Sequence, residues 1–279
     1  MIPFDFVYCR PDTPAEAYEA FLQLQSEGKN PAYYAGGSEI ITMCRAGSIR
    51  PGAVIDIKRI PECMSLSADA EGLHIGCACT LSQIKDSKLF PLLTLACGRI
   101  ADHTNQCRIT LGGNLCGTIL YRETSLPLLL SDSAVTIFGG GGLRTLPLQS
   151  VFRGRLRLGA GEFAVRLHVP AWALQARHFH VKRTANEKID YPLVSMSALV
   201  REQELRAAFS GVCAFPFRSG QIEAVLNNRA LSCADRAEQA ALLLPAPALQ
   251  DVEGSGEYRT FVFKNMVQAL LEEVEHGQV

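Results

Sequence analysis

The sequence predicts an α+β protein in two parts. A mixed α/β region runs to about residue 170, and a smaller α+β unit with a three-stranded antiparallel sheet and helices follows it. Three patterns predict this. Strands and capped helices alternate near the start. Hairpin signals dominate the middle. After Pro170, three strand patterns are followed by helical periodicity to the end. We expect domains at 1–170 and 171–279, the first split into subdomains of about 1–57 and 58–170.

Each element has a local reason. Thr13-Pro14-Ala15-Glu16 reads as a capping box with Pro at the first helical position, and Gly28 ends that helix. A strand follows at Ala32–Ala35, then the turn Gly36-Gly37-Ser38, a helix to about Ala46 and a strand at Val54–Ile57. Ser65–Ala68 and Leu73–Gly76 flank Glu71-Gly72, a hairpin signal. Thr80-Leu81-Ser82-Gln83 is a second capping box. A helical run from Pro91 to about Asp102 precedes a loop at Thr110-Leu111-Gly112-Gly113-Asn114. Ala134–Phe138, four glycines and Leu143–Leu146 form another hairpin, and Phe163–Val169 alternates as a strand ending at Pro170. Phe179–Arg183, Leu193–Arg201 and Leu205–Ser210 are the three later strands. Gly220–Asn227, Cys233–Leu243 and Tyr258–Glu275 are helical.

Composition excludes several classes. Lys plus Arg is 27 and Asp plus Glu is 28, a net charge of −1. That balance argues against nucleic-acid and membrane-surface binding, which need excess basic charge. No apolar run approaches the ~20 residues that span a bilayer. The first residues lack the basic region and cleavage site of a signal peptide, so we expect a cytoplasmic protein. The ten cysteines contain no C-x-x-C. Iron–sulfur and zinc-ribbon spacings are therefore absent, and we read reduced thiols and no metal on this chain.

Two glycine turns carry the chemical signal. Gly36-Gly37-Ser38 joins a strand to a helix start, where free N–H groups and the missing Cβ admit a phosphate. An ordinary capped turn has the same sequence. Thr110–Asn114, roughly 75 residues on, either faces the same diphosphate from the other side or is an unrelated turn. Neither G-x-G-x-x-G nor G-x-x-x-x-G-K-[ST] is present. Gly139–Gly142 reads as a hairpin turn. His178 and His180 share a strand face without a third ligand, and a solvent or core role fits them better than a metal. Arg153, Arg155 and Arg157 form either a solvated face or a docking patch for an acidic partner.

A family resemblance rests on these residues. Tyr33-Tyr34-Ala35-Gly36-Gly37-Ser38-Glu39-Ile40-Ile41 resembles the A-G-G-[TS]-[DE]-[LI]-[LI] segment of FAD-binding medium subunits of molybdenum hydroxylases, the xanthine dehydrogenase and carbon monoxide dehydrogenase type. Their flavin fold is shared with vanillyl-alcohol oxidase-type (PCMH-type) enzymes. Thr110 to Cys116 is similar to the family's T-[IV]-G-G-N-[LI]-C. Glu162–Pro170, Lys182 with Asp190, Gly211-Val212 with Pro216 and Arg218, and Glu257-Tyr258-Arg259 match further family elements in order.

The resemblance implies two α/β subdomains with FAD between them. It places the cofactor against Ala32, Tyr33, Tyr34, Ala35, Gly36, Gly37, Ser38 and Glu39 and against Thr110, Leu111, Gly112, Gly113 and Asn114. The Ala35–Glu39 and Thr110–Asn114 loops would donate backbone N–H groups to the pyrophosphate. Glu123 stands where the family has Asp near the flavin. Phe163 and Ala164 would line the isoalloxazine, with Val181 and Lys182 nearby, Lys182 tuning the reduced ring. The implied partners are an iron–sulfur subunit carrying [2Fe-2S] and a molybdopterin subunit. The implied electron acceptor is NAD or another molecule, and the implied substrates are of the xanthine type. The chain departs from the family at Gln106-Cys107, at Ile119-Leu120-Tyr121-Arg122-Glu123 and at Asn186-Glu187. A stand-alone flavin oxidase or reductase and a FAD-less scaffold are the rival readings.

Overall fold

The computed structural model describes residues 2–186 and 189–277. Its twelve strands are β1 (Val7–Cys9), β2 (Pro31–Tyr34), β3 (Ala53–Asp56), β4 (Leu66–Ala68), β5 (Gly72–Gly76), β6 (Ala134–Gly139), β7 (Gly142–Pro147), β8 (Phe163–Pro170), β9 (His178–Thr184), β10 (Pro192–Arg201), β11 (Glu204–Ser210) and β12 (Phe217–Arg218). They form three sheets. The first is parallel, in the order β1-β3-β2. The second is antiparallel, in the order β4-β5-β8-β6-β7. The third is antiparallel, in the order β12-β11-β10-β9.

Local signals place the helices. Thr13 Oγ1 accepts from Glu16 N and starts the Pro14–Ser26 helix, although the Glu16 carboxylate reaches Asp12 N rather than closing the box on Thr13. Thr80 and Gln83 do form the full reciprocal box. The run expected from Pro91 to Asp102 is broken. It stops at Cys97, the backbone turns through left-handed Ala101, and Asp102 caps a new short helix, His103–Gln106. The hairpin between β10 and β11 turns on Glu202 and Gln203, both at positive φ, as a two-residue hairpin turn requires. The third sheet has one strand more than the sequence predicts. Phe217–Arg218 is too short to show alternation, yet it pairs with β11.

Three cores result. One lies under the Pro14–Ser26 helix and includes Ala17, Ile55, Phe163 and Val165. The largest joins the second sheet to the Leu81–Ser87, Pro91–Cys97 and Ser125–Leu130 helices. The third packs β10 and β11 against the Gly220–Leu226, Cys233–Leu242 and Gly256–His276 helices. Strand β8 serves two of them. Phe163 and Val165 face the first core, but Leu167 and Val169 face the second. A register shift opposite Thr136/Ile137 makes this possible. One extra residue in a strand reverses which face later side chains take. The third sheet is covered on both sides. Val194, Met196 and Ala198 face its helices, while Leu199 and Ala208 join the large core.

Candidate functional site

The first glycine motif sits at the carboxyl end of the parallel sheet, where open α/β sheets bind ligands. Strand β2 ends at Tyr34, the chain turns through Ala35 and Gly36, and the Ser38–Arg45 helix begins. Gly37 takes φ 74° at the cap position. A Cβ there would overlap the Tyr34 ring, and one on Gly36 would overlap the Arg108 carbonyl oxygen. No side chain caps this helix. Among the described residues, the N–H groups of Gly36, Gly37, Ser38, Glu39 and Ile40 have no acceptor. The Ser38 hydroxyl is buried and also without a partner. Oriented donors at a helix start with no acceptor in the protein are what a diphosphate requires.

The second motif differs from the first in its local structure. Thr110–Asn114 is not a loop but the start of a helix, Leu111–Cys116, with Thr110 as its cap. Its donors are already bonded. Leu111 N donates to Cys79 O, Gly112 N to Cys77 O, Asn114 N to Thr110 O and Gly113 N to Thr110 Oγ1. Four of the motif's five N–H groups are therefore already bonded within the protein. It packs instead. Gly112 lies on Cys77, and the Thr110 methyl borders Gly36, so the two motifs do meet.

Side chains lock the surrounding loops. Glu39 accepts from Thr118 N at 2.7 Å and Thr118 Oγ1 at 2.9 Å, tying the Ser38–Arg45 helix to the segment after the second motif. Asn114 Oδ1 accepts from Thr124 Oγ1 at 2.6 Å and fixes the chain beside Glu123. Glu123 and Lys182 are both buried and pair at 3.0 Å. Ser195 also donates to Glu123, and Lys182 Nζ donates to the Arg99 carbonyl at 2.8 Å. Lys182 is thus neutralised by Glu123 and not by Asp190, which bonds Tyr191 N. Val181 alternates to the opposite face, where it packs on the C-terminal core. Its side chain is not brought to the cradle. Ala32 is paired with Val54 inside the parallel sheet. Tyr33 stacks on Phe21, packs at a tilt on Phe163 and donates to Gly161 O, a packing role. Phe163 and Ala164 are buried on β8 beside β6.

The departures from the family pattern now have structural meanings. Gln106 is buried and donates to Ile100 O and Ala101 O, holding the turn that breaks the Pro91 helical run. Arg122 is buried in a left-handed conformation and donates to Gly117 O and Gly154 O. Burial and then nearby Arg155 lower its pKa. Glu187 lies outside the described residues. Arg259 of the Glu-Tyr-Arg element is fully buried, bonds the carbonyls of Pro192, Leu193 and Gly211 and pairs with Asp251. Arg218 pairs with Glu223 and Asp132. Glu162 pairs with Arg144 and accepts from Gly159 N. Arg153 donates to Gln149 O and Phe152 O. His178 meets Ala176 O and His180 meets Ser197 Oγ. Burial, then Arg99 and Lys182, pushes the His180 pKa down to about 4. No group of three His, Cys, Asp or Glu side chains that could hold a metal occurs among the described residues. No helix among them is long and apolar enough to cross a membrane.

Sequence reading missed one group beside the cradle. Asp56, the last residue of β3, accepts from Tyr8 Oη at 2.6 Å and Lys58 Nζ at 2.8 Å. Burial alone would raise its pKa, but those bonds outweigh it and hold the carboxyl below its ordinary value. The available signal was a charged pair closing the central strand of a parallel sheet.

Comparison with known proteins gives a consistent result. A family model described as the FAD binding domain in molybdopterin dehydrogenase matches residues 3–172. The chain is 26% identical to a carbon monoxide dehydrogenase medium chain of Hydrogenophaga pseudoflava, covering 97% of each. It is 23% identical to a glyceraldehyde dehydrogenase medium chain of Sulfolobus acidocaldarius, covering 98% of this chain and all of the relative. Among solved structures, carbon monoxide dehydrogenase from Hydrogenophaga pseudoflava superposes with a TM-score of 0.86 at 25% identity, covering 96% of each chain. Quinoline 2-oxidoreductase from Pseudomonas putida 86 has the same fold, with a TM-score of 0.85 at 22% identity over 99% of each chain.

Proposed function

This chain belongs to the family of FAD-binding domains in molybdopterin dehydrogenases, and from that premise we propose that it is the electron-transfer subunit of a multi-subunit molybdenum hydroxylase. The observation that carries the proposal is the uncapped start of the Ser38–Arg45 helix, with its free N–H groups and unpartnered Ser38 hydroxyl. Bound there, FAD would supply the redox chemistry, which belongs to the cofactor and not to the side chains.

The chain's own residues bind and orient. Gly36 and Gly37 bring backbone against the diphosphate, and the Ser38–Ile40 amides donate to it. Thr110, Gly112 and Gly113 wall the cradle. Phe163 and Ala164 line the ring side. The Glu123–Lys182 pair closes the gap toward the C-terminal unit as a neutral buried contact, so any electrostatic tuning by Lys182 requires its separation from Glu123. We place the flavin in residues 1–170 and the closing surface in 171–279. The partners are an iron–sulfur subunit that delivers electrons and a molybdopterin subunit that holds the substrate, within the cytoplasm. Electrons leave to NAD or another acceptor. Substrate identity, xanthine-type or other, is then a property of the partner and not of this chain.

The test is the visible spectrum of the purified chain, followed by acid release and identification of the flavin. Flavin bands with FAD released in a 1:1 ratio to the chain (as a single diphosphate cradle gives) support the proposal. No band after incubation with excess FAD overturns it and leaves a scaffold.

A further inference from the structure

We propose that Lys58 is a positioning residue for the cradle, fixing the peptide between Ala35 and Gly36 so that the Gly36 N–H faces the diphosphate. The proposal rests on the FAD reading above and adds a residue outside both glycine motifs.

Lys58 Nζ donates to the Ala35 carbonyl at 2.7 Å and to Asp56 Oδ2 at 2.8 Å. It also lies 4.5 Å from the centre of the Tyr34 ring. An ammonium has three donors in a tripod, and here a carbonyl, a carboxylate and a ring face take them. Asp56 is itself fixed. Its Oδ1 accepts from Lys58 N at 3.0 Å, and Tyr8 Oη donates to Oδ2. The anchor is the end of the central strand of the parallel sheet.

The consequence follows from peptide planarity. No cis peptide bond occurs among the described residues. In a trans peptide the C=O and the next N–H point to opposite sides. A cation holding Ala35 O on the sheet side therefore directs Gly36 N–H away from the sheet, and this N–H has no acceptor in the protein. The lock has a purpose because the residue after that peptide is glycine, which tolerates a flipped peptide far better than other residues. The Tyr34 ring is held by the same ammonium, and it fills the space where a Gly37 side chain would stand. One cation thus sets both walls of the turn. Lys58 is a third exposed while Asp56 is almost fully buried, so the cation also serves stability by keeping a buried carboxylate paired. Its bond to the Ala35 carbonyl, which that pairing does not need, is what orients the turn.

The test uses the full chain freed of flavin. Lys58→Met and Lys58→Arg are compared with the unchanged protein by FAD dissociation constant, by melting temperature without FAD and by the Gly36 amide resonance without FAD. We expect Lys58→Met to weaken FAD by about tenfold, the loss of one charge-assisted bond. The melting temperature should fall, because Asp56 is left buried with Tyr8 as its remaining side-chain donor, and the Gly36 amide should shift. Lys58→Arg should recover part of the affinity. Equal affinity in Lys58→Met, or a Gly36 amide that does not move, overturns the proposal. A fall in melting temperature with an unmoved Gly36 amide shows a purely structural role and also overturns it. If the unchanged protein binds no FAD, the FAD reading fails, and the Gly36 amide alone then decides whether Lys58 sets the peptide.

Discussion

The two glycine motifs look alike in sequence and behave differently in the fold. Each places paired glycines at the start of a helix. At Gly36-Gly37 the helix start is uncapped and its donors are free. At Gly112-Gly113 a threonine caps the helix and each of the first four donors is bonded within the protein. The difference is where the pair sits. In the first motif Gly37 is itself the cap residue and has no side chain to accept, whereas in the second Thr110 is the cap, two residues ahead of Gly112, and its hydroxyl accepts from Gly113 N while the Cys77 and Cys79 carbonyls take the donors before it. Paired glycines at a helix start indicate close approach. The residue at the cap position and the carbonyls beside it decide whether the donors are left for a ligand or taken by the protein itself.

Substitutions can break or sharpen this contrast. The largest effect belongs to the scaffold side, where Asn114 steadies the chain that carries Glu123. Glu123→Ala leaves Lys182 buried and unpaired, and we expect a loss of about 3–5 kcal/mol by chemical denaturation. Replacing both partners, as Glu123→Leu with Lys182→Met, should recover most of that loss. Next, Gly36→Ala drives a methyl into the Arg108 backbone and should cost about 3 kcal/mol. Gly112→Ala meets Cys77 Cβ at 2.8 Å and should cost about 1–2 kcal/mol. A larger cost at Gly112 than at Gly36 would reverse our ranking of the two approaches.

Acid offers a third axis. The His180 pKa of about 4 lies below the roughly 6.5 of an unfolded histidine. The unfolded chain therefore takes up that proton first. Its contribution to stability is complete above about pH 6.5 and is lost as pH falls toward 4, by at most about 3 kcal/mol. His180→Phe should flatten that part of a stability–pH curve. The smallest effects separate the caps directly. Thr110→Val should cost roughly 0.5–2 kcal/mol, because a cap is lost. Ser38→Ala should leave the flavin-free protein unchanged or slightly more stable, because a buried hydroxyl without a partner is removed. The same change should weaken FAD binding.

Much of this was readable in the chain. Both glycine motifs, the Thr13 and Thr80 caps, the hairpins and the later strands follow from residue patterns and lie where expected. The misreadings have physical causes. Thr110–Asn114 reads as a loop because glycine is a poor helix former, and tertiary packing on Cys77 overrides that preference. The Pro91 run hides its break because nothing local marks Ala101 as left-handed. The pairing of Lys182 with Glu123 does not show in the sequence because the two are 59 residues apart. Arg122 and the Gln106 amide nitrogen donate to backbone carbonyls, and carbonyls leave no trace in a sequence. The bond from Lys58 to the Ala35 carbonyl was invisible for the same reason.

The strand order of the second sheet also governs how the chain is made. Strand β8 lies in the middle, between β5 and β6, yet it is the last of the five in sequence. On the ribosome the β4–β5 and β6–β7 hairpins emerge first, each with an open edge. The sheet closes only when Phe163–Pro170 arrives and bonds both. Until then the nascent chain carries two unpaired edges and an uncovered apolar face, the condition in which growing chains recruit chaperones or pair wrongly. The final step of translation for this region is therefore also its moment of greatest risk, and a pause placed after Pro170 would favour correct closure.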